Sequence, residues 1–245
     1  MELHRFYCPD LVADPTGSRP PEAYLPPEEA QHALKVLRLK AGDTLQLLNG
    51  KGWVFGGRLD HPDLKRCRIV IEEAERGEDL PPPLHIAIAP PKNIARLEWF
   101  LEKATEIGIG RITPMLCERS ERARLNSDRL ERILVAAMKQ SKRSWIPVLD
   151  KQTPFRDVIQ ESSSTGRYLA WLGPDSPPLA SAHCPGTPAL LLIGPEGDFS
   201  PEEMDQAALH GFASISLGRA RLRTETAALY ACAALNILND HEKDL

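Results

Sequence analysis

The chain has 245 residues, more than the commonest single-domain length, so one large or two modest domains with ample core are expected. No apolar run approaches the roughly 18 residues that span a bilayer, and the start, with Glu2, His4 and Arg5, lacks a signal-peptide hydrophobic segment, which together predict a cytoplasmic protein without a membrane. The net charge of −4 excludes a globally basic nucleic-acid binder, and five cysteines (Cys8, Cys67, Cys117, Cys184, Cys232), odd in number and without a C-x-x-C pair, suggest neither a disulfide framework nor a metal site.

To about Glu75 the chain shows short alternating runs, Thr44 to Leu48, Trp53 to Leu59 and Cys67 to Ile71. They are joined by Asn49-Gly50-Lys51-Gly52 and His61-Pro62-Asp63, which predicts hairpins and a small β-barrel over 1–75. One helix over Pro27 to Arg38 opens with acids and closes with bases, as the helix dipole favours. Residues 76–83, Arg76-Gly77-Glu78-Asp79-Leu80-Pro81-Pro82-Pro83, are charged, then proline-stiffened and without apolar periodicity, and read as a linker. From 84 to 245 strands and helices alternate, which predicts an α/β domain with a mainly parallel sheet.

In that second domain Leu84 to Ala89 reads as a strand, and Asn93 caps a helix whose apolar positions Ile94, Leu97, Leu101, Ala104 and Ile107 recur at helical spacing before Gly108 ends it. Ile112 to Leu116 is the next strand. Between Arg111 and Arg143 nine Lys or Arg stand against four acids, so any grip on RNA would be local to this stretch; a solvated helix face is the plainer reading of the same charges. Tyr168 to Leu172 is a strand followed by the turn Gly173-Pro174-Asp175. Leu190 to Ile193 is a continuous apolar run stopped by Gly194-Pro195, the pattern of a strand buried on both faces. Ser200-Pro201-Glu202-Glu203 then carries the marks of a helix start: Ser as cap, Pro at the first position, Glu three residues on. Ala213 to Leu217 repeats the strand, Gly218 breaks it, and a helix runs from Thr224, a plausible cap, to Asn239. In open α/β sheets ligands bind beyond the carboxyl ends of the strands, so these loops predict a small-molecule site. A P-loop is disfavoured because no G-x-x-x-x-G-K-(S/T) is present.

The stretch Ile193-Gly194-Pro195-Glu196-Gly197-Asp198-Phe199-Ser200-Pro201-Glu202-Glu203, with Leu217-Gly218 and Leu222-Arg223-Thr224-Glu225-Thr226-Ala227, resembles the RsmE type of ribosomal RNA methyltransferase. The family's motifs there are GPEGG-(F/L)-S-x-x-E and LG-x-x-x-LR-x-ETA. The likeness continues through Leu97-Glu98-Trp99, Glu102 to Gly108, Cys117-Glu118-Arg119-Ser120 and Gln140-Ser141-Lys142-Arg143, and covers nearly the whole chain. It implies a SPOUT α/β trefoil-knot domain behind a small N-terminal PUA-like RNA-binding β-barrel, and a homodimer. It also implies S-adenosylmethionine as cofactor, held by Leu172, Leu192, Ile193, Gly194, Pro195, Glu196, Gly197, Leu217, Gly218, Leu222, Thr226 and Ala227. The implied reaction is methylation of uridine N3 in 16S ribosomal RNA, at uridine 1498, on the free RNA or the small subunit.

Methyl transfer from a sulfonium to nitrogen needs no metal; it needs the acceptor placed in line and its proton managed. A cation beside uracil N3 favours its anion, which makes Arg223 the catalytic candidate; pairing with Glu225 or with a phosphate is the other reading of that arginine. Glu225 and Glu196 either orient the base or ribose or sit near a helix N-terminus. RNA contacts are expected from Arg38, Arg119, Arg122, Arg124, Lys142, Arg143, Arg219 and Arg221; in an extended segment Arg219, Arg221 and Arg223 face one way. The H-x-x-x-V-L-R element of the family matches His32, Val36, Leu37 and Arg38. The chain departs from the family at Asp198, where a second glycine is usual, so a side chain is expected at a position that favours positive φ, a region Asp tolerates better than most. It departs again at Pro90 to Arg96, where only Lys92 and Arg96 are basic. Two alternatives stay open: another RNA nucleoside as acceptor, and a non-catalytic RNA-binding ribosome assembly factor.

Overall fold

The computed structural model describes residues 3–13, 20–77, 83–121, 124–160, 165–173 and 176–243. Two compact units are formed, Met1–Leu80 with Val135–Ile146, and Pro81–Leu134 with Pro147–Leu245. Most of the linker stretch, 78–82, lies outside the described residues.

The first unit is a five-stranded sheet of β1 (Arg5–Tyr7), β2 (Glu22–Tyr24), β3 (Thr44–Leu48), β4 (Trp53–His61) and β5 (Arg68–Arg76), in the order β1-β3-β4-β5-β2. β1 runs parallel to β3; the other pairs are antiparallel. Strand alternation puts Phe6, Leu45, Leu47, Phe55, Leu59 and Ile69 on the covered face. The pairing shifts register between Gly56 and Gly57, where a Cβ on Gly57 would stand 2.6 Å from the Val70 carbonyl oxygen. The β3–β4 turn is built by Asn49, whose side-chain oxygen accepts from Lys51 N–H (2.8 Å) and Trp53 N–H (3.2 Å).

The helix expected over Pro27 to Arg38 is an α-helical segment, α1 (Pro27–Gln31), that widens into a π-helical turn over His32–Val36. His32 is packed edge-on against Phe6, and Arg38 leaves the turn at φ 57°. Val135–Ile146, which the alternation of elements assigned to the second domain, counts with the first because Met138 is buried against Leu48 and Val54. Lys139 also pairs with Glu29 at 2.6 Å there.

The second unit holds β6 (Leu84–Ile88), α2 (Ile94–Ile107), β7 (Arg111–Leu116), α3 (Ser127–Gln140, shared with the first unit), β8 (Val148–Leu149), β9 (Thr153–Pro154) and α4 (Phe155–Gln160). There follow β10 (Gly166–Ala170), α5 (Leu179–Ala182), β11 (Ala189–Ile193), α6 (Pro201–Leu209), β12 (Ala213–Ile215) and α7 (Thr224–Lys243). The sheet order is β12-β10-β11-β6-β7-β8, with β9 also on β7, and every pair is parallel. β11 lies between β10 and β6 and is buried at all five positions, as a strand covered on both faces must be. Asn93 caps α2 by accepting from Ala95 N–H, and Gly108 ends it at φ 118°. α2 packs on α7. β1, β2, α4 and α5 were not foreseen; each is six residues or shorter, too short for periodicity to show.

Candidate active site

β10, β11 and β12 end side by side, and the chain beyond each end forms one wall of a cleft of about 620 Å³. Trp171 and Leu172 follow β10, the segment from Gly194 to Asp198 follows β11, and Leu217 to Arg223 follow β12, while Ala227 closes the floor from the first turns of α7. Arg96 of α2 completes the rim. The size is that of a site for a small organic molecule, and the carboxyl ends of parallel strands are where such sites form.

Local chemistry shapes each wall. At Gly194 a Cβ would come 3.0 Å from the Phe199 ring, so a larger residue there would push against the core. The next four residues make a tight turn closed by Asp198 N–H to the Pro195 carbonyl (2.9 Å), with Asp198 at φ 64°. Its own carboxylate accepts from Phe199 N–H at 2.9 Å, the local bond that lets Asp hold a left-handed conformation, as expected of this position. Ser200 and Glu203 form the foreseen capping box of α6, and Glu203 reaches further, accepting from Glu118 N–H at 2.9 Å.

Beyond β12, Gly218 takes φ 107°, and a Cβ there would meet nothing within 4 Å. Thr224 does not cap α7: Ala227 N–H bonds to the Arg223 carbonyl, so Arg223 is the capping position. The Thr224 hydroxyl instead donates to the Gly194 carbonyl at 3.2 Å and pins the two loops together.

Of the residues singled out in the sequence, Leu172, Ile193, Gly194, Pro195, Glu196, Leu217, Gly218, Arg221, Leu222, Arg223 and Ala227 line this cleft. Leu192 points into the core and is fully buried. Gly197 and Thr226 are off the lining, and Arg219 is exposed beside it: a bend at 219–220 interrupts the extended run that would have aligned the three arginines. Glu225 is buried at 7% exposure behind the cleft, and its ion pair is with Arg96 (3.6 Å) rather than Arg223. The second carboxylate oxygen of Glu225 is buried without a hydrogen-bond partner. Arg96, Ala170, Trp171, Asp198, Ala220 and Thr224 also line the cleft without having been named as site residues from the motifs. Only the position of Arg96 one helical turn into α2, with Asn93 as cap, hinted that it faces the sheet ends.

Among the remaining basic residues, Arg119 donates to the Gly197 carbonyl (2.9 Å). Arg124 is exposed in the second unit, Arg38 and Lys142 are exposed in the first, and Arg143 is half-buried there. Arg122, Pro174 and Asp175 lie outside the described residues. The charged groups on the lining are Arg96, Arg221 and Arg223 and, of opposite sign, Glu196 and Asp198. No cysteine or histidine is on it among the described residues. Cys117, near the loop, is held far above the ordinary thiol range by burial and by the Glu203 carboxylate, so it is inert.

A parallel sheet with a cleft at its carboxyl edge, walled by the loops after β10, β11 and β12 and rimmed by arginines, is the architecture of a small-molecule-binding α/β domain. A family model described as "RNA methyltransferase domain" matches residues 78–236, and one described as "RNA methyltransferase PUA domain" matches residues 25–72. The chain belongs to this family of RsmE-type RNA methyltransferases. It is 31% identical over 211 residues to ribosomal RNA small subunit methyltransferase E of Synechocystis, covering 83% of this chain and 69% of that one. Its fold is similar to that of a "probable rRNA-methyltransferase" from Porphyromonas gingivalis, with TM-score 0.88, 39% identity and coverage of 98% and 100% of the two chains. It is similar too to ribosomal RNA small subunit methyltransferase E of Neisseria gonorrhoeae bound to S-adenosyl methionine, with TM-score 0.84, 26% identity and coverage of 97% and 98%. No described helix is long and apolar enough to cross a membrane.

Proposed function

We propose that the chain transfers the methyl group of S-adenosylmethionine to N3 of a uridine in 16S ribosomal RNA, uridine 1498, to give N3-methyluridine. The observation that carries this reading is the placement of Arg223 at the cap of α7, on the wall of a cleft whose charged lining also includes Arg96, Arg221, Glu196 and Asp198. The cofactor fits that cleft: Leu172, Ile193, Leu217, Leu222 and Ala227 offer apolar surface for a nucleoside, and the open space over Gly218 lets backbone approach it. When bound, it supplies an electrophilic methyl on a sulfonium.

The chain's own residues do the rest. The Arg223 guanidinium lowers the cost of the uracil N3 anion, and the helix N-terminus behind it adds to the same field. Glu196 and Asp198 are the proton-accepting side chains on the described lining; Glu196 already accepts from Lys92 N–H at 3.1 Å and Asp198 from Phe199 N–H, which orients both. Arg221 on the rim suits a phosphate of the RNA, with Arg38, Arg124, Lys142, Arg143 and Arg219 as further contacts. Glu225 serves through Arg96. Leu192, Gly197 and Thr226 support the cofactor wall from outside it.

In the same reading residues 1–75 are a PUA-like RNA-binding barrel and 84–245 a SPOUT domain threaded as a trefoil knot; the family models matched over 25–72 and 78–236 support the division into these two parts. On that reading the protein works in the cytoplasm during ribosome biogenesis as a homodimer, in which a second copy would cover the exposed Tyr230 and Ile237 of α7.

The test is methyl transfer. Purified protein is incubated with S-adenosylmethionine and unmodified small subunits or free 16S RNA, and the digested nucleosides are identified by mass spectrometry. N3-methyluridine is expected, with Arg223→Ala slowed at least about 100-fold at near-normal cofactor affinity. A different methylated nucleoside would overturn the acceptor; no product and no cofactor binding would leave an assembly factor.

A further inference from the structure

The turn Cys117-Glu118-Arg119-Ser120 sits at the carboxyl end of β7, off the lining of the cleft, yet its Arg119 bonds to the loop that forms one wall. Ser120 closes the turn by accepting from Cys117 N–H at 3.0 Å, and its own N–H donates to the Cys117 carbonyl at 3.1 Å. Glu118 N–H donates to Glu203, the helical member of the α6 capping box. Arg119 Nη1 donates to the Gly197 carbonyl at 2.9 Å and reaches the Phe199 carbonyl at 3.4 Å. Its aliphatic stem lies over Gly197: a Cβ there would be 3.5 Å from Arg119 Cβ and 3.6 Å from its Cδ. These bonds bracket Asp198, the one residue of the loop at positive φ, from both sides.

We infer that Arg119 is a positioning residue for the 194–199 loop, holding the wall of the cleft in its ligand-ready shape, rather than one of the residues that contact RNA. This assignment rests on the cofactor reading of the cleft given above. Carbonyl oxygens only accept, so two of them are fixed together from outside by a donor that reaches both, and Arg119 Nη1 with its two N–H groups does so. Without that donor the turn loses its outer restraint, and ordering it again is charged against ligand binding. Arg119 is exposed, so the assignment is carried by its two bonds to the loop carbonyls and not by burial.

The experiment compares wild type, Arg119→Ala and Arg119→Lys. In protein without added ligand, amide hydrogen exchange at residues 196–199 is expected to be at least about tenfold faster in R119A, with unchanged exchange in the β6 and β11 strands. Calorimetric titration with S-adenosylmethionine should show affinity at least about tenfold weaker in R119A and partly restored in R119K, whose ammonium still donates but lacks the planar guanidinium geometry. In turnover the loss falls on KM for the cofactor, with kcat within about threefold of wild type. The salt dependence of RNA binding should be the same in all three proteins. Equal cofactor affinity in wild type and R119A, or a salt slope lowered in R119A, overturns the assignment alone. A wild type that binds no S-adenosylmethionine overturns the cofactor reading and this assignment with it.

Discussion

At the level of single residues, the pair Arg96–Glu225 illustrates why the cleft has the charge it has. Glu225 is in the first turn of α7, where a carboxylate is favoured by the helix dipole, but it is 91–93% removed from solvent by burial and one of its oxygens lacks a partner. Arg96 keeps about a third of its side chain exposed and can return to water. The two truncations are therefore unequal. Arg96→Ala strands a buried carboxylate and should cost about 2–3 kcal/mol, while Glu225→Gln leaves a solvated cation and a neutral amide and should cost about 1 kcal/mol. Urea unfolding of both single variants and the double variant checks this; additive effects, or an Arg96→Ala protein as stable as wild type, would show that the two groups are uncoupled. Much of this site was legible in the sequence. Gly194, Gly218 and Arg223 announce loops and a charge by residue type alone, and so does Asp198 at its positive φ. Arg96 was not legible as a partner of Glu225, because nothing in a local pattern tells which distant helices meet; α2 and α7 are brought together only by the fold.

Among the elements, those with a chemical start signal were read with their boundaries. α6 begins at Pro201 after Ser200, and α2 at Ile94 after Asn93, both as expected. The capping box of α6 also gives a graded prediction. Ser200→Ala removes one acceptor for a helix N–H and should cost about 1 kcal/mol. Glu203→Ala removes the acceptor of two N–H groups at once, those of Ser200 and Glu118, and should cost about 2–3 kcal/mol. Equal losses in denaturant titrations would mean that the Glu118 contact contributes nothing to stability. Where the signal was not local, the sequence was silent. β1 and β2 are three residues each, and their pairing with β3 and β5 is set by partners distant in the chain. The π-helical turn at His32–Val36 has the same residue types as an α-helix, and only its packing against Phe6 and the exit at Arg38 show the difference. Strand order in a parallel sheet is likewise invisible to periodicity, since every central strand reads as the same apolar run.

For the molecule as a whole, the division into units follows packing rather than the proline-rich stretch alone, because α3 is continuous in sequence but changes the company it keeps at Val135. Stability against pH is the corresponding property of the second unit, and His85 is a group that couples to it. This side chain is largely buried at the amino end of β6; its Nε2–H donates to the Thr113 hydroxyl at 2.7 Å, and that hydroxyl in turn donates to Asp150. Arg111 grips the same aspartate at 2.7 and 3.1 Å. Burial first, and the Arg111 charge second, push the His85 imidazole down to about 4, against the opposing pull of Asp150. Neutral His85 is thus the folded form, whereas the unfolded chain takes up the proton near the ordinary histidine value of about 6.5. As pH falls below about 6.5 the unfolded state binds the proton and the folded state does not, so stability drops, and the drop is complete only below about 4. The size is on the order of 3 kcal/mol. Carboxylates elsewhere titrate through the lower part of this window, so the comparison is with His85→Gln, whose amide still donates to Thr113 but cannot be protonated. Urea unfolding free energies measured at pH 7.5 and about pH 4.5 should fall less in the variant than in wild type, by about 2–3 kcal/mol. Parallel falls in the two proteins would mean that His85 is protonated in the native state, and that the Thr113–Asp150 network tolerates a cation at its head.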